Sequence, residues 1–336
     1  MDWNDAIDLR SRKFTAQLVI QRAMARGWDV ASFKTNAAII LLKVPNRDEP
    51  ILLFSASPPQ MSYPASKVAK DKYISSLLLD MAGLPVPREL LYNLNDGLQP
   101  EHEQLLADVK KVVLKPLDAS HGNGVTVNIK DVEGLKAAVQ EAEKFTSRQN
   151  LVVQEQLQGV DVRVVCIDYK FVDAIVRLPA SVVGDGQQTV RELIITTNQH
   201  EDRGENYQTK LNRIPMVQVE RYLTADELAR VPAEGETVQV VGTANIGTGG
   251  VRLNIREHVP DWLKTMAEQA TRALQLPVCG VDFMLTEQPK VDHTVEELNP
   301  RIIEANECPM LTMYDDLHSP EQYAVIDRYL DYVISD

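Results

Sequence analysis

Residues 111–127 read KVVLKPLDASHGNGVTV: Val112, Val113 and Leu114 run straight into Lys115 and then into a turn containing Gly122 and Gly124. Apolar and β-branched residues in succession predict a buried strand. An ammonium at its end must reach water or meet an anion, because an unpaired charge is costly to bury. The glycines permit a tight turn whose backbone amides converge on an anion, and Lys115 adds charge to the same place. Downstream, Asp131 precedes Val132, Leu135, Val139 and Ala142 at helical spacing, and Leu151 to Gln154 resume a strand. Strand, loop, strand, helix and strand in that order commit the chain to an α/β architecture. The loop lacks the ending of a Walker motif and no helix follows it directly, so it is neither a P-loop nor a dinucleotide fingerprint. On pattern alone, a phosphate loop and an ordinary glycine hairpin both remain open.

The flanking segments extend this scheme. Ala16, Val19, Ile20 and Ala23 share a helical face that Gly27 ends, and AAIILLKV and PILLFSA read as two buried strands, giving a small α/β unit over residues 1–64. Ser66 is expected to cap a second helix with Ile74, Leu77, Leu78 and Met81 on one face, terminated at Gly83. Val162 to Leu178 reads as a hairpin, and Asn198 to Asn212 as a polar surface excursion. Strands are expected in ETVQVVG and GVDFML. Between them Leu263, Met266, Ala267, Ala270 and Leu274 line a helix, and Ser319, Pro320 and Gln322 form the start signal of a last one.

Size and charge narrow the function. With 336 residues, 44% hydrophobic and 25% charged, the chain is large enough for two or three subdomains. Its 35 basic and 48 acidic residues leave a net charge of -13, which argues against broad attraction to nucleic acid or an anionic membrane. Cys166, Cys279 and Cys308 are far apart and odd in number, which suits a reducing compartment. No apolar signal stretch or membrane span is evident, so a cytoplasmic location is expected.

A second group of candidates lies near the carboxyl end. Glu304 and Asn306, two apart in RIIEANECP, would project from one face of a strand, and Asp282 sits in the apolar strand GVDFML. Converging oxygen ligands of this kind suit Mg²⁺ when phosphates complete its shell, whereas isolated acids are ordinarily solvated edge residues. Arg177 and Arg252 lie beside glycine-dense turns that could bring amides and a guanidinium to one anion, or could be surface hairpins. His121 sits in the loop after Lys115, while the other histidines read as exposed. Cys308 reads as packing or pocket lining.

Taken together, KPLDASHGNGV, LPASVVGDGQQTVREL, GTANIGTGGV, GVDFML and IIEANECP resemble the ATP-grasp ligases, in particular the branch containing cyanophycin synthetase and the synthetase half of the bifunctional glutathione enzyme. The resemblance runs from about Ser66 to Asp315. It implies an α/β (α+β) ATP-grasp fold with a small N-terminal subdomain (1–64), a central and mobile lid subdomain (65–158) and a C-terminal metal-binding subdomain (159–336). It implies that Lys72 and Lys115 contact ATP phosphates, that His121, Gly122 and Gly124 form the lid, that Gln154, Glu155, Gln156 and Leu157 receive the adenine, and that Asp161 meets the ribose. Asp282, Glu304 and Asn306 match the Mg²⁺ ligands, with Mn²⁺ as an alternative ion, and Arg177, Asn245 and Arg252 are candidates for the transferred phosphate and the acid substrate. The implied reaction joins a small carboxylic acid to an amine, each an amino acid or short peptide, through an acyl phosphate. A glutathione-synthetase-like reaction and a dipeptide ligase both fit. The rival from another class is a silent ATP-binding regulator or scaffold. A homodimer is the implied assembly, with no nucleic acid or membrane partner.

Overall fold

The computed structural model describes residues 14–33, 36–55, 57–117, 124–205, 209, 211–314 and 324–335. His121, Gly122, the Ser319–Gln322 start signal and Asp315 therefore lie outside the described residues.

Helix α1 (Phe14–Ala25) buries Ala16, Val19, Ile20 and Ala23 as their spacing predicts, and Gly27 beyond it has a φ of +76°, the left-handed conformation of a helix end. Strands β1 (Asp29–Phe33), β2 (Asn36–Lys43) and β3 (Ile51–Phe54) form an antiparallel sheet in that order. Val19, Ile20, Ile40, Leu42 and Leu53 pack against Val165, Ile175, Val278 and Tyr329, so the N-terminal elements share a core with the distant end of the chain.

The single helix expected from Ser66 is two helices. Ser62 caps α2 (Tyr63–Lys70), its Oγ accepting from the Ala65 amide at 3.2 Å. Asp71 then breaks the run and caps α3 (Lys72–Met81), accepting from the Ile74 amide at 3.2 Å. Ser66 lies inside α2. The restart also rotates the expected face: Ile74, Leu77 and Met81 are 45%, 44% and 82% exposed, and Ser75 and Leu79 point inward instead.

Strand β4 (Glu89–Asn93), helix α4 (Pro100–Val109), β5 (Val112–Pro116), β6 (Thr126–Ile129), α5 (Val132–Ala142) and β7 (Asn150–Glu155) follow. The sheet order is β4-β7-β5-β6, all antiparallel. One face carries Val112, Leu114, Leu151 and Val153 and is covered by Leu105 of α4 and by Leu135 and Val139 of α5. Residues at alternate positions, including Val113 and Lys115, therefore occupy the other face.

The expected hairpin is β8 (Val160–Ile167) with β9 (Lys170–Leu178). After β10 (Ser181–Val183) and α6 (Val190–Asn198), β11 (Arg203–Gly204) pairs in parallel with β12 (Leu211–Asn212). The 198–212 segment is thus not a plain surface excursion: Arg203 is buried and donates to the carbonyls of Asn212 and Gly249 at 2.8 and 2.9 Å. Helices α7 (Met216–Tyr222) and α8 (Ala225–Ala229) lead to β13 (Thr237–Gln239), the short strand that forms within ETVQVVG by pairing with β10. Strand β14 (Val251–Asn254), helix α9 (Asp261–Ala273), β15 (Val278–Leu285), α10 (Val295–Leu298), β16 (Arg301–Asn306) and α11 (Ala324–Val333) complete the chain. The main C-terminal sheet runs β14-β9-β8-β15-β16, entirely antiparallel. Val162, Val164, Val176, Val281 and Phe283 pack on α9 through Leu263, Ala267 and Ala270. The alternate positions divide: Val165, Ile167 and Val278 join the core with α1 and α11, while Asp161, Arg163 and Asp282 form a charged patch nearer the strand ends. No described helix is long and apolar enough to cross a membrane.

Candidate active site

Lys115 emerges from β5 on the face away from the α4–α5 core. Its side chain is only 14% exposed, and its Nζ lies 4.0 Å from the Oε2 of Glu89, too far for a hydrogen bond. Burial holds the Lys115 ammonium below its usual range, Glu89 draws it back up, Lys72 lowers it again and Glu304 raises it. Lys72 of α3 and Glu304 of β16 are thus among the charges that surround Lys115. Lys72 Nζ is 3.4 Å from Glu304 Oε1, with about a third of each side chain exposed. The opening lysine thus meets a carboxylate loosely and keeps its donors for another anion.

Behind Lys115, Glu89 faces Gln154 across β4 and β7. Gln154 Nε2 donates to Glu89 Oε2 at 2.5 Å, while Glu89 Oε1 is buried with no partner among the described residues. The next residues are tied to neighbouring strands: the Glu155 amide donates to Arg88 O at 2.8 Å and the Gln156 amide to Lys111 O at 2.9 Å. Gln156 is further pinned by its Nε2 to Asn128 Oδ1 at 3.1 Å. Strand β7 ends at Glu155, and Gln156 stays tied to Lys111 and Asn128 beyond it. Gly124, at the near end of the loop, has a φ of +68°, and a Cβ there would lie 2.8 Å from Pro116 Cγ, so a glycine is required.

On the facing sheet, cross-strand register builds two charged rows. Asp282 lies opposite both Arg163 and Glu304, and Arg177 lies opposite both Asp161 and Arg252. Arg163 Nε and Nη2 donate to the two oxygens of Asp282 at 2.5 and 2.6 Å, and Arg177 Nη2 adds a third bond at 2.9 Å. Burial alone would raise the Asp282 pKa, but Arg163 and Arg177 together hold it below the ordinary range. Arg177 also grips Asp161 at 2.8 and 2.7 Å. Burial pushes the Asp161 carboxyl up to about 6, against the pull of Arg177. Both Asp161 oxygens are therefore engaged by arginine, which ties this side chain into the charge network. Arg252 Nη2 donates to the Thr312 carbonyl at 3.0 Å. Asn245 caps the turn that follows it, its Oδ1 accepting from the Gly247 amide at 2.8 Å, a structural task for a residue expected to contact substrate.

The oxygen donors partly fit Mg²⁺. Glu304 and Asn306 project from β16 at alternate positions, and Glu304 is accessible once Lys72 moves aside. Asp282, by contrast, already accepts three guanidinium hydrogen bonds, and a cation beside two arginines would be repelled. Among the described residues no three Asp, Glu, His or Cys side chains form a metal cluster. Arg163, Glu89 and Arg203 were not anticipated. Arg163 could have been noticed two residues from Asp161 in a strand, but Glu89 sits in a strand with no clear sequence signal.

Residues 99–192 match the family model for the ATP-grasp domain of prokaryotic glutathione synthetase. Over 253 residues, 74% of its length, the chain is 30% identical to cyanophycin synthetase of Geminocystis herdmanii, and over 331 residues, 96%, it is 25% identical to the glutathione biosynthesis bifunctional protein of Desulfotalea psychrophila. It also superimposes on the crystal structure of a bifunctional glutathione synthetase from Pasteurella multocida over 97% of its length, with a TM-score of 0.68 at 22% identity. The chain carries an ATP-grasp domain. A D-alanine–D-alanine ligase from Bacillus anthracis shares the fold more distantly, with a TM-score of 0.50. The chain spans only 28% of the cyanophycin synthetase and 41% of the bifunctional protein. Lys115 belongs to the β4-β7-β5-β6 sheet, and Lys72 opens α3, which packs on β16 of the larger sheet.

Proposed function

We propose that this chain is an ATP-dependent carboxylate–amine ligase that activates a carboxyl group as an acyl phosphate and passes it to an amine. The observation that carries the proposal is the convergence of Lys72, Lys115 and Glu304 from three separate segments on one cleft of an ATP-grasp fold. Two relatives named for making cyanophycin and glutathione support amino acids or short peptides as the acid and amine. On this reading the chain divides into units over 1–64, 65–158 and 159–336.

A carboxylate approaching a polyphosphate is opposed by like charge, so the residues would act chiefly by neutralising and aligning. Lys115, loosely matched by Glu89, would give its donors to a phosphate oxygen. Lys72 would exchange Glu304 for phosphate, leaving Glu304 and Asn306 free to hold Mg²⁺ or Mn²⁺, which when bound supplies further charge neutralisation to the phosphates. Arg252, together with Arg177 at the edge of its aspartate network, would face the acid substrate.

The test is ADP release from Mg-ATP with carboxylic acids crossed against amines, including γ-glutamylcysteine with glycine, followed by product mass. ADP that requires both reactants, with a product lighter by one water than their sum, supports the ligase. Tight ATP binding with no ADP across amino acids and small peptides would favour a nucleotide-binding regulator.

A further inference from the structure

Strand β4 is the edge of its sheet, and beside it, walled by α3 and α4, lies a cleft of about 470 Å³ that neither Lys72, Lys115 nor Glu304 lines. A volume of that order holds a small molecule. Tyr73, Leu77, Val86 and Leu105 give the cleft apolar walls. Its charged lining is one-sided. Asp80 lies in the last turn of α3, Glu101 in the first turn of α4 and Glu89 at the start of β4. Asp80 and Glu101 are exposed, and no described residue forms an ion pair with either. Arg88, the basic residue of the lining, is already held by Asp108 at 2.8 Å. Glu89 is different in being 7% exposed: its Oε2 accepts from Gln154, and its Oε1 has no partner among the described residues. Burial, and then the charge of Glu89, raise the Tyr73 hydroxyl above its usual range, so this carboxylate is felt at the aromatic wall of the cleft.

We propose that the cleft is a binding site for a small organic cation, an amine or guanidinium carried on an apolar stem. The walls take the stem, Asp80 and Glu101 meet the cationic head, and Glu89 adds its charge from beneath. Three carboxylates against one arginine that is already paired leave the lining negative, and apolar walls of low dielectric concentrate that field. A phosphate or carboxylate ligand is repelled by the same sign. This site does not require the chain to be a ligase.

The experiment titrates the full chain with butylguanidinium and with butylurea, its uncharged isostere, each followed by nuclear magnetic resonance of the ligand. Butylguanidinium is expected to bind with a Kd of about 1 mM or tighter. Butylurea is expected to bind at least about tenfold more weakly, the difference made by a charge-assisted hydrogen bond. The double variant Asp80→Asn/Glu101→Gln keeps the shape of the cleft and removes two exposed charges. It is expected to weaken butylguanidinium by about tenfold, as two partly exposed charge contacts do, and to leave butylurea and the circular dichroism spectrum unchanged. Saturating Mg-ATP is expected to leave butylguanidinium bound. Equal affinity for the two ligands, no binding of butylguanidinium below about 10 mM, or an unchanged Kd in the double variant would overturn the proposal. Direct competition with Mg-ATP would overturn it as well, by placing the cation at Glu304.

Discussion

Arg163→Met tests whether the charge network under the cleft is a structural support. Arg163 is 10% and Asp282 2% exposed at the side chain, and the pair is joined by hydrogen bonds of 2.5 and 2.6 Å. Removing one partner of a buried pair costs about 3–5 kcal/mol, because the remaining charge is left without compensation. Arg177 keeps its 2.9 Å bond to Asp282, which places the expected loss at the lower end, about 3 kcal/mol. The readout is native-state hydrogen exchange at the β8 and β15 amides, where this loss corresponds to a roughly hundredfold fall in protection. The sign with pH follows from Asp282, whose folded pKa lies below its unfolded value because Arg163 and Arg177 outweigh burial. Its stabilising contribution is present above the unfolded pKa and disappears as pH falls through the folded one. The gap between wild type and Arg163→Met should therefore hold from pH 7 down to about 4, the unfolded carboxyl range, and narrow as pH falls below it. The double variant Arg163→Met/Asp282→Leu, which removes both charges, should recover much of the loss. A loss under about 1 kcal/mol at neutral pH, against the 3–5 expected of a buried pair, or a double variant less stable than the single one, would refute the reasoning.

Lys115→Met should weaken Mg-ATP binding by about ten- to a hundredfold, the worth of one charge-assisted hydrogen bond, as measured by calorimetry. Glu304→Ala should abolish acid- and amine-dependent ADP formation while leaving the circular dichroism spectrum unchanged; normal turnover would remove Glu304 from the metal site. Burial pushes the Asp173 carboxyl up to about 6 despite bonds from the Ala174 amide and Asn254. The folded chain thus retains a proton that the unfolded chain has shed, so this residue's contribution is full below about pH 4 and is lost as pH rises through about 6. Asp173→Asn should flatten that part of the melting-temperature profile, and an unchanged slope would contradict the assignment.

Much of the scaffold was legible because its signals are local. The α1 face, the α5 cap at Asp131, the β8–β9 hairpin and the α9 stripe each depend on residues within a few positions of one another. The α2–α3 division was missed because Asp71 works as a second cap only when the helix on each side has somewhere to pack. Strand β4 went unread because its apolar run, Leu90 to Tyr92, is short and bounded by Glu89 and Asn93, and that glutamate makes sense only beside Gln154.

The same division holds at the site. Sequence alone determined that Lys115 and Asp282 would need partners, since a lysine ending a buried strand and an acid inside an apolar one both demand them. Which partner each received was decided by tertiary structure. Asp282 could have gone to a metal; the register of β15 against β8 gave it Arg163 instead, and the register of β9 brought Arg177. Strand register is set by packing of the opposite face on α9, between segments more than a hundred residues apart in the case of Arg163 and Asp282. No local pattern carries that information.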